Sequence, residues 1–125
     1  MRVKDVMKQP FVTEKDISLG EVAKIMSAKG IGSLIYLSDG KIKGIITDTD
    51  LVRHFNSSSK ISGVMSKNVV TIKPDETLEY AARVMRKNGI KRLPVVDNNK
   101  LVGIITITDL IANSEELDDE FFFDE

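Results

Sequence analysis

The run Gly-Ile-Ile-Thr-x-x-Asp occurs twice, as Gly44 to Asp50 and as Gly103 to Asp109. Each copy sits where an apolar, strand-like stretch hands over to a helical one. Thr and Asp three apart at such a corner can do two kinds of chemistry. One is structural. The Thr hydroxyl accepts from the third backbone N–H and the carboxylate reaches back to the cap, forming a capping box. The carboxylate also suits the positive end of the helix dipole. The other is ligand binding. A carboxylate offers two acceptor oxygens to a vicinal diol such as that of ribose, with the Thr hydroxyl beside it as donor or acceptor. Exposed N–H groups at the same helix start would favour a phosphate. Spacing alone leaves both readings open, and they coexist if the Asp spends one oxygen locally.

Other chemistries have little to work with. The chain has no cysteine, so it has neither a thiol nucleophile nor a thiolate metal site, and it has one histidine, His54. His54 falls near the end of a helix, where it reads as a favourable C-terminal group. No phosphate-binding Gly-x-x-x-x-Gly-Lys-Ser/Thr loop occurs and no Ser/His/Asp arrangement is visible. The sequence therefore predicts no enzyme, no catalytic residues and no metal site. Asp5, Asp16, Asp75 and Glu76 read as loop and cap residues rather than metal ligands. With 42% hydrophobic and 30% charged residues, 125 in all, the chain is expected to fold rather than to be disordered. No apolar stretch is long enough for a membrane span, and the start of the chain lacks the apolar core of a secretory signal. A cytoplasmic location is expected. All 18 basic residues but only 12 of the 19 acidic ones lie in residues 1–114, which leaves a body of net +6. That suits a small anionic ligand, although it says little by itself. Lys and Arg form no dense cluster with interleaved aromatics, so a nucleic-acid partner is not expected.

The motif is the end of a longer repeat. Val6-Met7 matches Val64-Met65, and Val12-Thr13 matches Val70-Thr71. Leu19, Ala23, Met26, Gly30, Ile31 and Leu34 match Leu78, Ala82, Met85, Gly89, Ile90 and Leu93. The offset stays near 59 across half the chain, which points to two related subdomains rather than a solenoid. Each copy reads as β-α-β-β-α, giving a mixed α/β (α+β) fold of two tandem repeats with pseudo-two-fold symmetry. The boundaries expected are 1–56 for the first repeat, 57–61 for a Ser-rich linker, 62–114 for the second repeat and 115–125 for a tail. An extended segment opens each copy (Phe11–Thr13; Val69–Ile72). Ser18 with Glu21, and Thr77, cap the first helices. Leu19, Val22, Ala23 and Met26, and then Leu78, Ala81, Ala82 and Met85, form their apolar stripes. Gly30 and Gly89 end them. The methionines are expected to be core. Asp39-Gly40 and Asn98-Asn99 signal tight hairpin turns. Pro94 lacks a backbone N–H and is expected at a strand start or edge. Neither half should bury its core well alone. The tail combines seven acids with Phe121-Phe122-Phe123 and reads either as a solubilising end or as a docking segment.

The doubled unit closing on Gly-Ile-Ile-Thr-x-x-Asp, with Ile90-Lys91-Arg92-Leu93-Pro94-Val95-Val96-Asp97 in the second copy, resembles a stand-alone CBS-domain pair, or Bateman module. The resemblance covers about residues 3–114. It implies a cleft between the copies that takes an adenosine-containing regulatory ligand of the AMP, ADP, ATP or S-adenosylmethionine type, with no obligatory cofactor. It also implies a homodimer that signals to an effector protein the sequence does not name. It places Asp50 as ribose acceptor with Thr47 beside it, the backbone around Ile45 and Val70 flanking the adenine, and Lys91 and Arg92 on the phosphates. In the second site Thr106 and Asp109 take the diol, with Ile104 and Val12 near the base. Gly32 and Ser33 stand there in place of the cations, so the first site is expected to dominate for phosphorylated ligands. The competing expectation is a non-catalytic, dimeric scaffold with vestigial sites.

Overall fold

The computed structural model describes residues 1–116. The tail expectation falls, from residue 117 onward, outside the described residues. The chain forms two compact units, one built from Pro10–Val69 and the other from Met1–Gln9 together with the chain from Val70 onward. The duplicated sequence and the compact units are thus offset. The first nine residues belong with the second copy, and residues 57–69 belong with the first.

In the Pro10–Val69 unit, β1 (Val12–Thr13) is followed by α2 (Leu19–Lys29), β2 (Ser33–Ser38), β3 (Lys41–Thr47), α3 (Asp48–Arg53) and a single-turn helix α4 (Ile61–Val64). The other unit contains the single-turn helix α1 (Val3–Val6), then α5 (Leu78–Asn88), β4 (Arg92–Asp97), β5 (Lys100–Thr106), α6 (Ile107–Ala112) and a 3₁₀ turn at Ser114–Glu116. The expected element order holds in the first copy; in the second the opening strand expected at Val69–Ile72 is reduced to a single bridge, and α1 and α4 are additional. Both are four residues long. That is too short for any helical periodicity to register in sequence.

Local chemistry accounts for the elements. Ser18 and Thr77 cap α2 and α5 by accepting from Glu21 N and Tyr80 N at 3.2 and 3.1 Å. Glu21 does not close a capping box. Its carboxylate instead accepts from the Ser18 hydroxyl at 3.3 Å. Both helices end on a left-handed glycine, Gly30 and Gly89, each with φ of 63°. Met26 and Met85 are core, as expected of them, while Ala23 faces outward where its counterpart Ala82 is buried. The hairpin turns carry positive φ at both central residues, 54° and 74° at Asp39-Gly40 and 49° and 65° at Asn98-Asn99. That conformation matches the twist of the flanking strands.

Each unit has its own apolar cluster. One gathers Leu19, Val22, Met26, Leu34, Ile46 and Ile61. The other gathers Val3, Val6, Leu78, Met85, Leu93, Ile105 and Leu110 among others. The single-turn helices contribute Ile61 to the first and Val3 and Val6 to the second. Each such residue fully buried contributes about 1.5–3 kcal/mol, so the short helices are part of the core, not decoration. Each is tied by an acid preceding the long helix of its unit. Asp16 accepts from both the backbone N (2.9 Å) and the hydroxyl of Ser62, and Asp75 pairs with Lys4 Nζ at 2.8 Å.

The sheets differ in one instructive way. In the Pro10–Val69 unit β1 runs parallel to β2, which pairs antiparallel with β3. In the other unit β4 and β5 form the antiparallel pair, and the segment matching β1 makes only the bridge Ile72↔Val95. The reason is Pro94. Its counterpart Ile35 donates its N–H to Phe11 O at 3.0 Å, whereas proline has none to give. Pro94 is the third residue of β4 rather than its first, but its missing N–H costs only this outer strand.

The motif glycines are explained by a crossing chain. A Cβ at Gly44 would collide with the Met65 side chain and lie 2.9 Å from Ser66 O, and one at Gly103 would lie 2.9 Å from Met7 Cγ. The repeated Val-Met and the repeated motif glycine are two halves of one contact. Gly44→Ala should destabilise by about 1–3 kcal/mol in denaturant unfolding, and Met65→Ala should not rescue it because the Ser66 carbonyl remains. Gly103→Ala should be largely rescued by Met7→Ala. Asp16 is held below its ordinary value of 3.8, first by the Ser62 hydroxyl and then by the Ser62 N–H. Its stabilisation is therefore complete above that value and lost as pH falls through the lowered one. The stability gap between wild type and Asp16→Asn, measured by unfolding at a series of pH values, should be full at neutral pH and close below about pH 4.

Candidate functional site

The two Thr/Asp corners are built identically. Thr47 is the N-cap of α3 and Thr106 that of α6, and both capping boxes are complete. Asp50 Oδ2 accepts from Thr47 N at 2.9 Å and from the Thr47 hydroxyl at 3.1 Å. Asp109 Oδ2 accepts from Thr106 N and its hydroxyl at the same distances. The hydroxyls in turn accept from Asp50 N at 3.4 Å and Asp109 N at 3.3 Å. Each carboxylate thus spends Oδ2 on its own turn. No hydrogen bond or ion pair engages Asp50 Oδ1 among the described residues, and Asp109 Oδ1 faces Lys8 Nζ at 3.4 Å.

Most of the N–H groups at the helix starts already have partners. In α3, Asp48 N donates to Gly32 O at 3.0 Å, Thr49 N to Asp48 Oδ1 at 2.8 Å, and Asp50 N to the Thr47 hydroxyl. In α6, Ile107 N donates to Lys91 O at 2.8 Å and Asp109 N to the Thr106 hydroxyl. Caps and the carbonyls of Gly32 and Lys91 engage these donors, while Thr108 N of α6 makes no bond among the described residues.

The other expected site residues divide between the units. Val12, Ile45, Thr47 and Asp50 lie in the Pro10–Val69 unit. There Val12 pairs with Ile35 and Ile35 with Ile45, so Val12 and Ile45 share one row of the sheet. Val70, Lys91, Arg92, Ile104, Thr106 and Asp109 lie in the other unit. Arg92 is paired across the strands with Thr106, which sets the Lys91-Arg92 pair beside the corner of its own unit. At the equivalent place Ser33 pairs with Thr47. The groupings expected from the resemblance, Asp50 with Val70, Lys91 and Arg92, and Asp109 with Val12, draw members from both units. Ile45 and Ile104 are nearly buried, and each is doubly bonded to a crossing residue, Ser66 and Lys8 respectively. His54 is the C-cap of α3, its N–H bonded to Asp50 O at 3.1 Å. Of the acids set aside as metal ligands, Asp5, Asp16 and Asp75 act as caps and ties. Asp5 accepts from Arg2 N at 2.7 Å, while Asp16 and Asp75 make the bonds described above. Lys8 is the participant that sequence reasoning passed over. The one signal for it was its place directly after the repeated Val-Met, where the other copy has Ser66.

This doubled architecture and its corners define a CBS-domain pair. The chain belongs to the CBS domain family, whose model matches residues 3–57 and 61–116. It is 33% identical over 117 residues to the CBS domain-containing protein YhcV of Bacillus subtilis, covering 89% of this chain and 84% of that one. It is 42% identical over 107 residues to a homoserine O-acetyltransferase of Methanosalsum zhilinae. There the match takes in 82% of this chain but only 22% of the relative. Among solved structures, the CBS domain pair of protein MJ0100 in complex with 5′-methylthioadenosine and S-adenosyl-L-methionine superposes with a TM-score of 0.86. It is 34% identical and covers 92% of this chain and 96% of that one.

Proposed function

We propose that this chain is a non-catalytic regulatory module that binds an adenosine-containing ligand and reports its presence to a partner protein. The observation that carries the reading is the half-used carboxylate of Asp50. Its Oδ2 is committed to the cap, while Oδ1 makes no bond among the described residues. Asp50 is also only partly buried. A vicinal diol donates two O–H groups, and a charged acceptor already oriented by its own turn is a suitable receiver. The adenosine ligands of the MJ0100 pair, 34% identical to this chain, support the same class of ligand here. Thr47 and Thr106 orient the acids, and Asp109 is the second diol acceptor. Val12 and Val70 supply apolar surface near the base, with the backbone around Ile45 and Ile104 beside it. Lys91 and Arg92 supply positive charge for phosphates.

Regulation requires that the ligand bind two states of the module, or of its dimer, with different affinity. The scaffold alternative has its own support in apolar side chains exposed around the end of α3, Val52 at 73% and Phe55 at 79%. It predicts no heat on titration with adenosine, AMP, ATP or S-adenosylmethionine at millimolar concentration.

Calorimetric titration decides between the two. Asp50→Ala should weaken adenosine and AMP alike by more than tenfold, because each hydrogen bond to a charged acceptor is worth about 1.5–3 kcal/mol. Undiminished affinity would remove the ribose assignment. Replacing Lys91 and Arg92 together by Ala should weaken ATP well beyond adenosine, and equal losses would show that the pair does not meet phosphate. Combining that double change with Asp50→Ala or with Asp109→Ala identifies which aspartate's ligand it serves.

A further inference from the structure

The two corners have the same backbone but not the same electrostatics. Lys8 is doubly bonded to the strand leading into the second corner. Lys8 N donates to Ile104 O and Ile104 N to Lys8 O, both at 2.9 Å. Met7, one residue earlier, is seated against Gly103. The Lys8 backbone is thereby fixed two residues from Thr106, and its ammonium lies 3.4 Å from Asp109 Oδ1. Asp109 is 6% exposed, whereas the Lys8 side chain is 72% exposed. The carboxylate has surrendered its water and needs partners on both oxygens. Thr106 serves Oδ2, and Lys8 is the partner of Oδ1 among the described residues. In the first copy Ser66 makes the same double bridge with Ile45, at 2.9 and 3.0 Å, but serine is too short to reach a carboxylate there. Asp50 Oδ1 has no such cation among the described residues.

We propose that Lys8 is a built-in latch on the Asp109 carboxylate, occupying the oxygen a nucleoside diol would need and making the two diol sites unequal. The inference rests on the ribose reading above. A diol and an ammonium are both donors, so at Asp109 they compete for one acceptor, while at Asp50 the diol meets no competitor. Neutral nucleosides therefore fill the Asp50 site first. The Asp109 site opens to them only when Lys8 swings out into solvent, which its exposure allows.

A reciprocal exchange tests this. Lys8→Ser in an Asp50→Ala background isolates the Asp109 site without its latch, and Ser66→Lys in an Asp109→Ala background installs a latch beside Asp50. In calorimetric titration with adenosine, Lys8→Ser should strengthen binding roughly fivefold and Ser66→Lys should weaken it by a similar factor, the scale of a partly exposed ion pair. Unchanged or weaker binding on Lys8→Ser would overturn the latch and make Lys8 a ligand contact or a bystander. A ligand-free measurement keeps this separate from the ribose reading. The rate of Lys8 acylation by limiting acetic anhydride, followed by peptide mass, should rise at least twofold in Asp109→Asn, which keeps the cap but removes the charge. Equal rates would overturn the pairing. If no variant, wild type included, binds adenosine, the ribose reading fails and the gating role falls with it. The acylation rates then still decide whether Lys8 holds the carboxylate.

Discussion

A carboxylate has two oxygens, and the corners of this protein use only one of them for structure. The exchange between Thr47 and Asp50, repeated by Thr106 and Asp109, fixes where each strand stops and each helix begins. Leaving buried donors or acceptors unpaired at these points would cost about 1–3 kcal/mol apiece, so the exchange is hard to give up. It also sets the terms for any ligand. At the α3 corner the first-turn N–H groups are engaged, which leaves little of an anion nest there. The remaining oxygen is held rigidly, because its twin is bonded to the backbone and hydroxyl of the same turn. Capping and ligand binding stop being rival explanations once they are assigned to different atoms of one side chain.

The same economy governs the glycines. Gly44 and Gly103 lie where a returning segment lays a methionine across the strand. That segment then bonds doubly to the next residue of the strand, Ser66 to Ile45 and Lys8 to Ile104. The glycine gives the room, the methionine fills it, and the double bridge locks the register just before the corner. Because the returning segments lie at residues 1–9 and 57–69, the compact units cannot coincide with the sequence repeats. The duplication marks where the pattern restarts, and the units record which segments close over which core.

Most of the architecture was legible because its signals are local and strong. Capping residues, left-handed glycines and two-residue turns each force a conformation within a few residues. The motif corner was legible for the same reason. What escaped was short or relational. Helices α1 and α4 are four residues long and are held by Asp75 and Asp16, partners about 70 and 46 positions away in sequence. No window of periodicity contains such a tie. Pro94 was recognised as a missing donor, but only the observed pairing shows that the loss falls on the outermost strand. The engagement of the first-turn N–H groups was not legible because two of their acceptors, Gly32 O and Lys91 O, lie outside the motif, ahead of the preceding hairpin.

Around the two corners, the positions where the copies differ follow a rule. Val-Met, the motif glycine, Thr and Asp act through side-chain size or side-chain bonds, and they are the same in both copies. Lys8 and Ser66 make the same double bridge through the backbone, so their side chains could diverge without changing that bridge. Lys91-Arg92 against Gly32-Ser33 obeys the same logic, because Lys91 and Gly32 each serve the following helix through a carbonyl oxygen. Any residue type can supply that bond. A duplicated fold held by backbone bonds at the rim of its corners can hold both corners in one shape while giving each a different charge. In a protein whose proposed ligands differ mainly in the charge attached to a common nucleoside, these are the positions where specificity can change at least structural cost.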